Sequence, residues 1–209
     1  RDSYAIQAVA SNNYKFMIIC APATLYYTKK LSVLIADKYS RAASGGFGYA
    51  KAAGNYAGQF YPTNLAKKSG FDQVIWTDSN EHKYIEEAGT MNIFFRIDNE
   101  LYTAPITDTI LDGVTRKSII EIAKNNGIAV NIKKISVQEI ISASNEKRLK
   151  EIFGTGTAAI VSQVSGFKYK DEYFEVKEQN DSYAELLKTK LLNIQTNQSK
   201  DPLGWRYKI

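Results

Sequence analysis

Apolar residues recur along this chain in short, nearly continuous runs, with fewer stretches at helical spacing. Residues 14–20 and 31–36 are runs of this kind, which is typical of strands buried on both faces. Shorter runs rich in β-branched and aromatic residues predict further strands at 73–76, 91–97, 101–104, 128–135, 149–153 and 158–164. Asp98-Asn99 separates two of these runs and predicts a tight hairpin turn.

Four segments predict helices. Asn55 is the expected N-cap of a helix over 55–69, which Gly70 would end. The other helices are predicted at 115–125, at 137–143 and around the apolar residues between 183 and 194. Because strands outnumber helices and do not alternate strictly with them, the predicted fold class is α+β, with a barrel-like mixed sheet flanked by helices.

The composition and net charge indicate a folded protein and argue against nucleic-acid and membrane partners. The chain has 209 residues, 44% hydrophobic and 23% charged, which suits a folded core in one domain or two small ones. A net charge of +5 permits anionic partners, but the lysines are spread in pairs without a basic stripe that alternates with aromatic residues. We therefore expect no nucleic-acid partner, and no membrane partner either, because no apolar run approaches the roughly 18 residues that a span needs.

The chain has one cysteine and one histidine. They can form neither an intramolecular disulfide nor a four-ligand zinc site, so no metal is predicted and a reducing cytoplasm is the expected location. Cys20 lies in the apolar run 14–20 and is expected in the core.

A change of composition marks the first candidate for chemistry. Residues 42–56 are mainly Ala, Gly, Ser and Tyr, and Lys51 lies among them. A planar ligand could approach the backbone closely there, and a lysine amine that is desolvated or near another cation can form a Schiff base. Most of the 27 Lys and Arg residues are expected at the surface, so an ordinary surface lysine is the alternative.

Two segments are suited to bind a phosphate. Gly113-Val114-Thr115 stands directly before a predicted helix, where free N–H groups face outward, although an ordinary threonine cap is the commoner case. Gly154-Thr155-Gly156-Thr157 follows a predicted strand, and its glycines could form an anion-binding nest or simply a tight turn. Neither segment has the spacing of a Walker or dinucleotide motif.

Glu87 is the candidate acid of the chain. It precedes the predicted strand 91–97. A carboxylate at a strand edge is usually solvated, but beside a protonated ring nitrogen it would hold that proton in place.

These segments together resemble the motif series of the branched-chain-amino-acid aminotransferases. The matching segments, in order, are 48–51, 54–56, 87–92, 111–116 and 153–158, with a similar ending over 194–205. The resemblance implies the larger, cofactor-binding domain of the fold type IV enzymes, which are D-amino-acid aminotransferase-like, over residues 1–209. Residues 1–30 would include the interdomain segment, and the smaller N-terminal domain would be absent.

The resemblance implies pyridoxal 5′-phosphate as the cofactor. Lys51 would form a Schiff base with it and later move the proton between substrate and cofactor. Tyr56 would donate a hydrogen bond to the phenolic oxygen, and Glu87 would bind the pyridine nitrogen. The phosphate would lie against Val114 and Thr115, with help from Thr157.

Substrate binding is also implied by the resemblance. Thr157 and Ala158 would offer backbone groups to the substrate carboxylate, while Thr90 and Met91 would lie near the substrate pocket. The expected reaction moves the amino group of leucine, isoleucine or valine to 2-oxoglutarate and yields glutamate. The intact enzyme would be a homodimer, and this piece alone is expected to turn over poorly or not at all.

Two alternatives stay open. A D-amino-acid aminotransferase or an aminodeoxychorismate lyase would use the same fold and the same lysine, although the segment 89–92 favours the branched-chain branch. A non-catalytic module with a merely structural pocket is the alternative from a different class.

Overall fold

A computed structural model describes residues 9–22 and 27–208 of the chain. Parts of the predicted interdomain segment, at 1–8 and 23–26, lie outside the described residues. No helix in the described part of the chain is long and apolar enough to cross a membrane.

Nine strands form one mixed sheet in the described residues. They are β1 Leu31–Ile35, β2 Gln73–Thr77, β3 Ile85–Ala88, β4 Met91–Ile97, β5 Glu100–Thr103, β6 Val130–Ile132, β7 Leu149–Gly156, β8 Ile160–Tyr169 and β9 Glu172–Glu175. Six of them follow one another in the order β3-β2-β1-β8-β7-β4, and β3 pairs with β4. That last pairing closes a barrel, as the sequence predicted.

The remaining strands extend the barrel wall. β5 pairs with β4 on one side and with β6 on the other, while β9 pairs with β8. The pairs β1–β2, β1–β8 and β5–β6 are parallel and the others are antiparallel. The two residues Asp98 and Asn99 join β4 to β5, and Asp98 has a φ of 53°, as expected for a tight hairpin turn.

Four helices pack around the sheet in the described residues: α1 Ala53–Lys68, α2 Val114–Asn125, α3 Val137–Asn145 and α4 Tyr183–Gln195. The Ser136 side chain caps α3 in a reciprocal bond with Glu139, which explains where that helix starts. Gly70, with a φ of 87°, follows the end of α1 as predicted.

Strand β4 shows how one apolar run serves two cores. Its side chains alternate, so Ile93 and Phe95 belong to the core cluster that includes β1, while Phe94 lies in the cluster under α2 and α4. All seven residues of β4 are buried, which explains why the run is continuous rather than alternating.

Four expectations from the sequence are wrong. Residues 14–20 form no strand and are exposed; Phe16, for example, is 89% exposed, and Cys20 is exposed instead of buried. Helix α1 starts at Ala53 with Ala52 as its N-cap, two residues ahead of the expected start at 55. Gly154 to Gly156 continue strand β7 instead of forming a turn.

Candidate active site

The loop before α1, residues 42–51, is named the lysine loop because it ends in Lys51. Its conformation is anchored by Asn55, whose amide donates hydrogen bonds of 2.7 Å to the backbone oxygens of Phe47 and Ala50. The residue predicted as a helix cap therefore fixes the loop instead. Since α1 begins at Ala53, Lys51 lies just ahead of the N-cap of that helix.

Lys51 and Tyr56 lie side by side. The Lys51 Nζ is 3.4 Å from the Tyr56 Oη, at hydrogen-bonding distance, and 5.7 Å from the centroid of the tyrosine ring. Lys51 is exposed and Tyr56 is half-buried. The lysine amine is thus oriented by the tyrosine while it remains open to a ligand from solvent.

Glu87 lies within strand β3 and is 3% exposed. Its carboxylate accepts hydrogen bonds from the backbone N–H of Leu111 at 2.7 Å and from the amide of Asn92 at 3.1 Å, and it forms an ion pair of 3.1 Å with Arg41. Burial raises the pKa of Glu87 to about 7, although the positive charges of Arg41 and Lys51 act in the opposite direction. Lys51 is therefore close enough for its charge to act on Glu87.

The segment 104–113, named the helix-2 loop, leads from β5 into α2. Gly113 is the N-cap and offers no side-chain acceptor to the first N–H groups of α2. A Cβ atom on Gly113 would collide with the Asn92 Oδ1, so a larger residue here would have to displace the Asn92 amide. Val114, at 76% exposed, and the half-buried Thr115 follow at the helix start.

Asn92 links Glu87 to this helix start. Its amide donates to the Glu87 carboxylate at 3.1 Å and to the Leu111 backbone oxygen at 2.8 Å. The candidate acid and the candidate phosphate turn are therefore held in a defined relation by one side chain.

The remaining candidates lie at adjoining turns of the barrel. Thr157 and Ala158 are exposed in the turn between β7 and β8, and Thr90 is exposed in the turn between β3 and β4. Met91 packs against β7, because a Cβ atom on Gly154 would lie 2.7 Å from the Met91 Cε. In register, Glu87 pairs with Asn92, which pairs with Thr155 on β7.

A cleft of about 430 Å³ opens beside β3 and is lined by Glu86, Asp108 and Thr109 among others. Lys51 does not line it. Lys51, Thr90 and Thr157 are exposed instead of enclosed in this cleft.

The sequence profile described as amino-transferase class IV matches residues 2–167. This chain belongs to the class IV aminotransferase family.

Individual relatives agree with the family. A probable branched-chain-amino-acid aminotransferase of Staphylococcus aureus (strain N315) is 41% identical over 209 residues, covering 97% of this chain and 58% of that protein. Branched-chain-amino-acid aminotransferase 2 of Bacillus subtilis (strain 168) is 39% identical, covering 96% of this chain and 56% of that protein. The class IV chain thus spans less than two thirds of the length of these relatives.

Solved structures share the fold. The branched-chain amino acid aminotransferase from Escherichia coli superposes with a TM-score of 0.71 at 28% identity, covering 84% of this chain and 56% of that one. The branched-chain amino acid aminotransferase from Thermobaculum terrenum, solved in its PLP-form, superposes with a TM-score of 0.71 at 18% identity, covering 86% and 55%. The predicted α+β barrel of the fold type IV enzymes is confirmed.

Two residues of this class IV chain that contact Glu87 were assigned no role from the sequence. Asn92 could have been noticed as a polar residue in the otherwise apolar start of strand β4. Arg41 carries no such signal, because a single arginine in a polar turn looks like a surface residue. Only the tertiary structure brings it to Glu87.

Unpaired polar atoms collect near Glu87. Six buried side-chain nitrogen or oxygen atoms of the described residues have no hydrogen-bond partner, and four of them belong to Arg41, Glu86, Arg116 and Thr155. Arg41 pairs with Glu87, Arg116 acts on it electrostatically and Thr155 lies opposite Asn92, whereas Glu86 lines the cleft. Buried polar groups are normally satisfied, so this arrangement fits a polar ligand that carries several hydrogen-bonding groups.

Proposed function

We propose that this chain is the cofactor-binding part of a pyridoxal 5′-phosphate-dependent aminotransferase for branched-chain amino acids. The observation that supports this most directly is the group formed by Lys51, Tyr56 and the buried Glu87 in a chain of the class IV family. The names of the bacterial relatives support leucine, isoleucine and valine as amino donors. The motif resemblance adds 2-oxoglutarate as acceptor and glutamate as product.

The residues present fit the cofactor. Lys51 would hold it through the side-chain amine, which Tyr56 orients at 3.4 Å, and Tyr56 would also hydrogen-bond the phenolic oxygen. Glu87 would keep a proton on the ring nitrogen, because a carboxylate in a buried site stabilises a neighbouring cation strongly. When bound, the protonated ring supplies an electron sink for the carbanion that forms at the substrate Cα.

The phosphate would be bound at the start of α2. The first N–H groups of that helix, at Val114 and Thr115, receive no side-chain cap from Gly113 and lie at the positive end of the helix dipole. The Thr115 hydroxyl and Thr157 would add hydrogen bonds.

The substrate would lie on the side of the β7–β8 turn. The exposed backbone of Thr157 and Ala158 would bind its carboxylate, and Thr90 and Met91 would border its side chain. Among the described residues no hydrogen bond or ion pair joins Lys51 to Thr115 or Thr157, so their common ligand stays a prediction. The homodimer and the cytoplasmic location also stay predictions.

Cofactor capture tests this proposal. Pyridoxal 5′-phosphate is added to the chain, the visible absorption is recorded, borohydride is used to reduce the adduct, and the labelled peptide is identified. We expect the label on Lys51 and none in Lys51→Ala. Lys124→Ala, which removes an exposed lysine paired with Glu121, is the matched control and should label like the unaltered chain.

A labelled adduct that persists in Lys51→Ala would contradict the assignment of this lysine. Transamination of leucine with 2-oxoglutarate then tests the substrates. We expect turnover far below that of an intact homologue, because an open site orients substrate poorly and admits water. D-alanine or aminodeoxychorismate as the better substrate would favour the alternatives on the same fold.

A further inference from the structure

Arg41 lies in the segment after β1 and is almost completely buried, with 4% of its side chain exposed. One of its terminal nitrogens, Nη2, lies 3.1 Å from the Glu87 carboxylate and 3.1 Å from the backbone oxygen of Gly48. The same nitrogen donates to the backbone oxygen of Thr109. A single guanidinium therefore contacts strand β3, the lysine loop and the helix-2 loop.

The two loops are packed together at this point. A Cβ atom on Gly48 would lie 2.5 Å from the Ala42 Cβ and 2.9 Å from the Thr109 Cα, so the lysine loop and the helix-2 loop are in close contact here. The Tyr49 backbone N–H also donates to the Asp108 oxygen at 2.9 Å. This packing fixes the guanidinium beside Glu87.

The charges around Glu87 make Arg41 its principal counterion. Burial disfavours the ionised form of Glu87, and the neighbouring Glu86 adds a negative charge that disfavours it further. The charges of Lys51 and Arg116 also act on Glu87, but among the described residues only Arg41 forms an ion pair with it. A buried carboxylate that lost this contact would keep its proton to a higher pH.

We propose that Arg41 is a positioning residue that acts through Glu87: it favours the ionised form of the carboxylate and orients it toward the ring nitrogen of the cofactor. This inference rests on the proposed function. A neutral Glu87 would no longer stabilise a proton on the ring nitrogen, so the ring would lose its character as an electron sink.

Two substitutions separate charge from hydrogen bonding. Arg41→Gln keeps donors for the carbonyls of the two loops but removes the charge, while Arg41→Lys keeps the charge but loses the planar fork. Arg148→Met is the matched control, since it removes an exposed arginine that pairs with Asp98 and Glu146 away from the site.

The first measurement is the titration of the Glu87 carboxyl by carbon NMR in the cofactor-free chain, assigned by its loss in Glu87→Gln. We expect Arg41→Gln to raise the midpoint by about one pH unit or more, Arg41→Lys to stay within about half a unit, and Arg148→Met to change nothing. Equal midpoints in Arg41→Gln and the unaltered chain would overturn the proposal. If Arg41→Gln does not fold, Arg41→Lys is the deciding variant. A change of a full pH unit in the Glu87 midpoint of Arg41→Lys, which retains the positive charge, would also contradict the proposal.

The second measurement is the affinity for pyridoxal 5′-phosphate. We expect Arg41→Gln to weaken binding by about tenfold or more in the unaltered background but by less than about threefold in Glu87→Gln, where the carboxylate is already lost. An equal loss in both backgrounds would show a merely structural role. Failure of the unaltered chain to bind the cofactor would refute the proposed function alone, because the titration of Glu87 reads the Arg41 contact without cofactor.

Discussion

Replacing Glu87 by glutamine should remove a pH dependence from the stability of the cofactor-free chain. Burial raises the pKa of Glu87 to about 7 in the folded chain, from an ordinary value of 4.5. Between these two values the folded chain holds a proton that the unfolded chain has released. The free energy of unfolding therefore falls as the pH rises from 4.5 to about 7.

The size of this effect follows from the two pKa values. They differ by about 2.5, and one pH unit corresponds to about 1.4 kcal/mol, so ionising Glu87 destabilises the folded chain by about 3 kcal/mol. Glutamine has nearly the same shape and no titration. The difference in unfolding free energy between Glu87→Gln and the unaltered chain should thus grow in favour of the variant over this range.

Urea denaturation at a series of pH values from about 5 to about 8 measures that difference. Groups other than Glu87 titrate equally in both proteins, so their effect on the free energy of unfolding cancels in the difference. Glu146→Gln removes an exposed carboxylate and serves as the control, with an expected change within about 0.5 kcal/mol across the range. A difference for Glu87→Gln that stays constant to within about 1 kcal/mol would refute the reasoning that burial outweighs the Arg41 contact.

Two further predictions concern packing and the buried network. Gly113→Ala should weaken binding of pyridoxal 5′-phosphate by about tenfold, because the new Cβ atom would displace the Asn92 amide. Gly58→Ala is the control: a Cβ atom there has no neighbour within 4 Å, so the same spectroscopic titration should show unchanged binding. Equal affinities would argue against the link through Asn92. Glu151→Ala should lower the free energy of unfolding by about 3–5 kcal/mol in urea, because it leaves the buried Arg96 guanidinium and the first N–H groups of α4 without this partner. A loss below about 1 kcal/mol would contradict the importance of that network.

Most of the secondary structure could be read from local patterns. Strand β4 and helices α2 and α3 lie within two residues of their predicted bounds, because side-chain periodicity and capping groups act over a few neighbouring residues. Strand β3 was missed, since its four residues include Glu86 and Glu87, which look solvent-exposed in the sequence. Their burial results from the closure of the barrel by β3–β4 pairing.

The opposite error occurred at residues 14–20. The run has the composition of a buried strand, yet the described residues of the chain offer it no pairing partner and leave it exposed. Apolar composition records the tendency to be buried, whereas burial itself requires a surface to pack against.

By itself the sequence determined the fold class, the order of the candidate motifs and the chemical type of each candidate residue, because these depend on local periodicity and on the side chains themselves. The tertiary structure alone decided that Glu87 is buried beside Arg41 and that Asn92 joins Glu87 to the start of α2. It also decided that Lys51 lies next to Tyr56 and that the charge of Lys51 acts on Glu87. Contacts between segments that are distant along the chain depend on how the barrel closes, and the pKa of a buried carboxylate depends on those contacts.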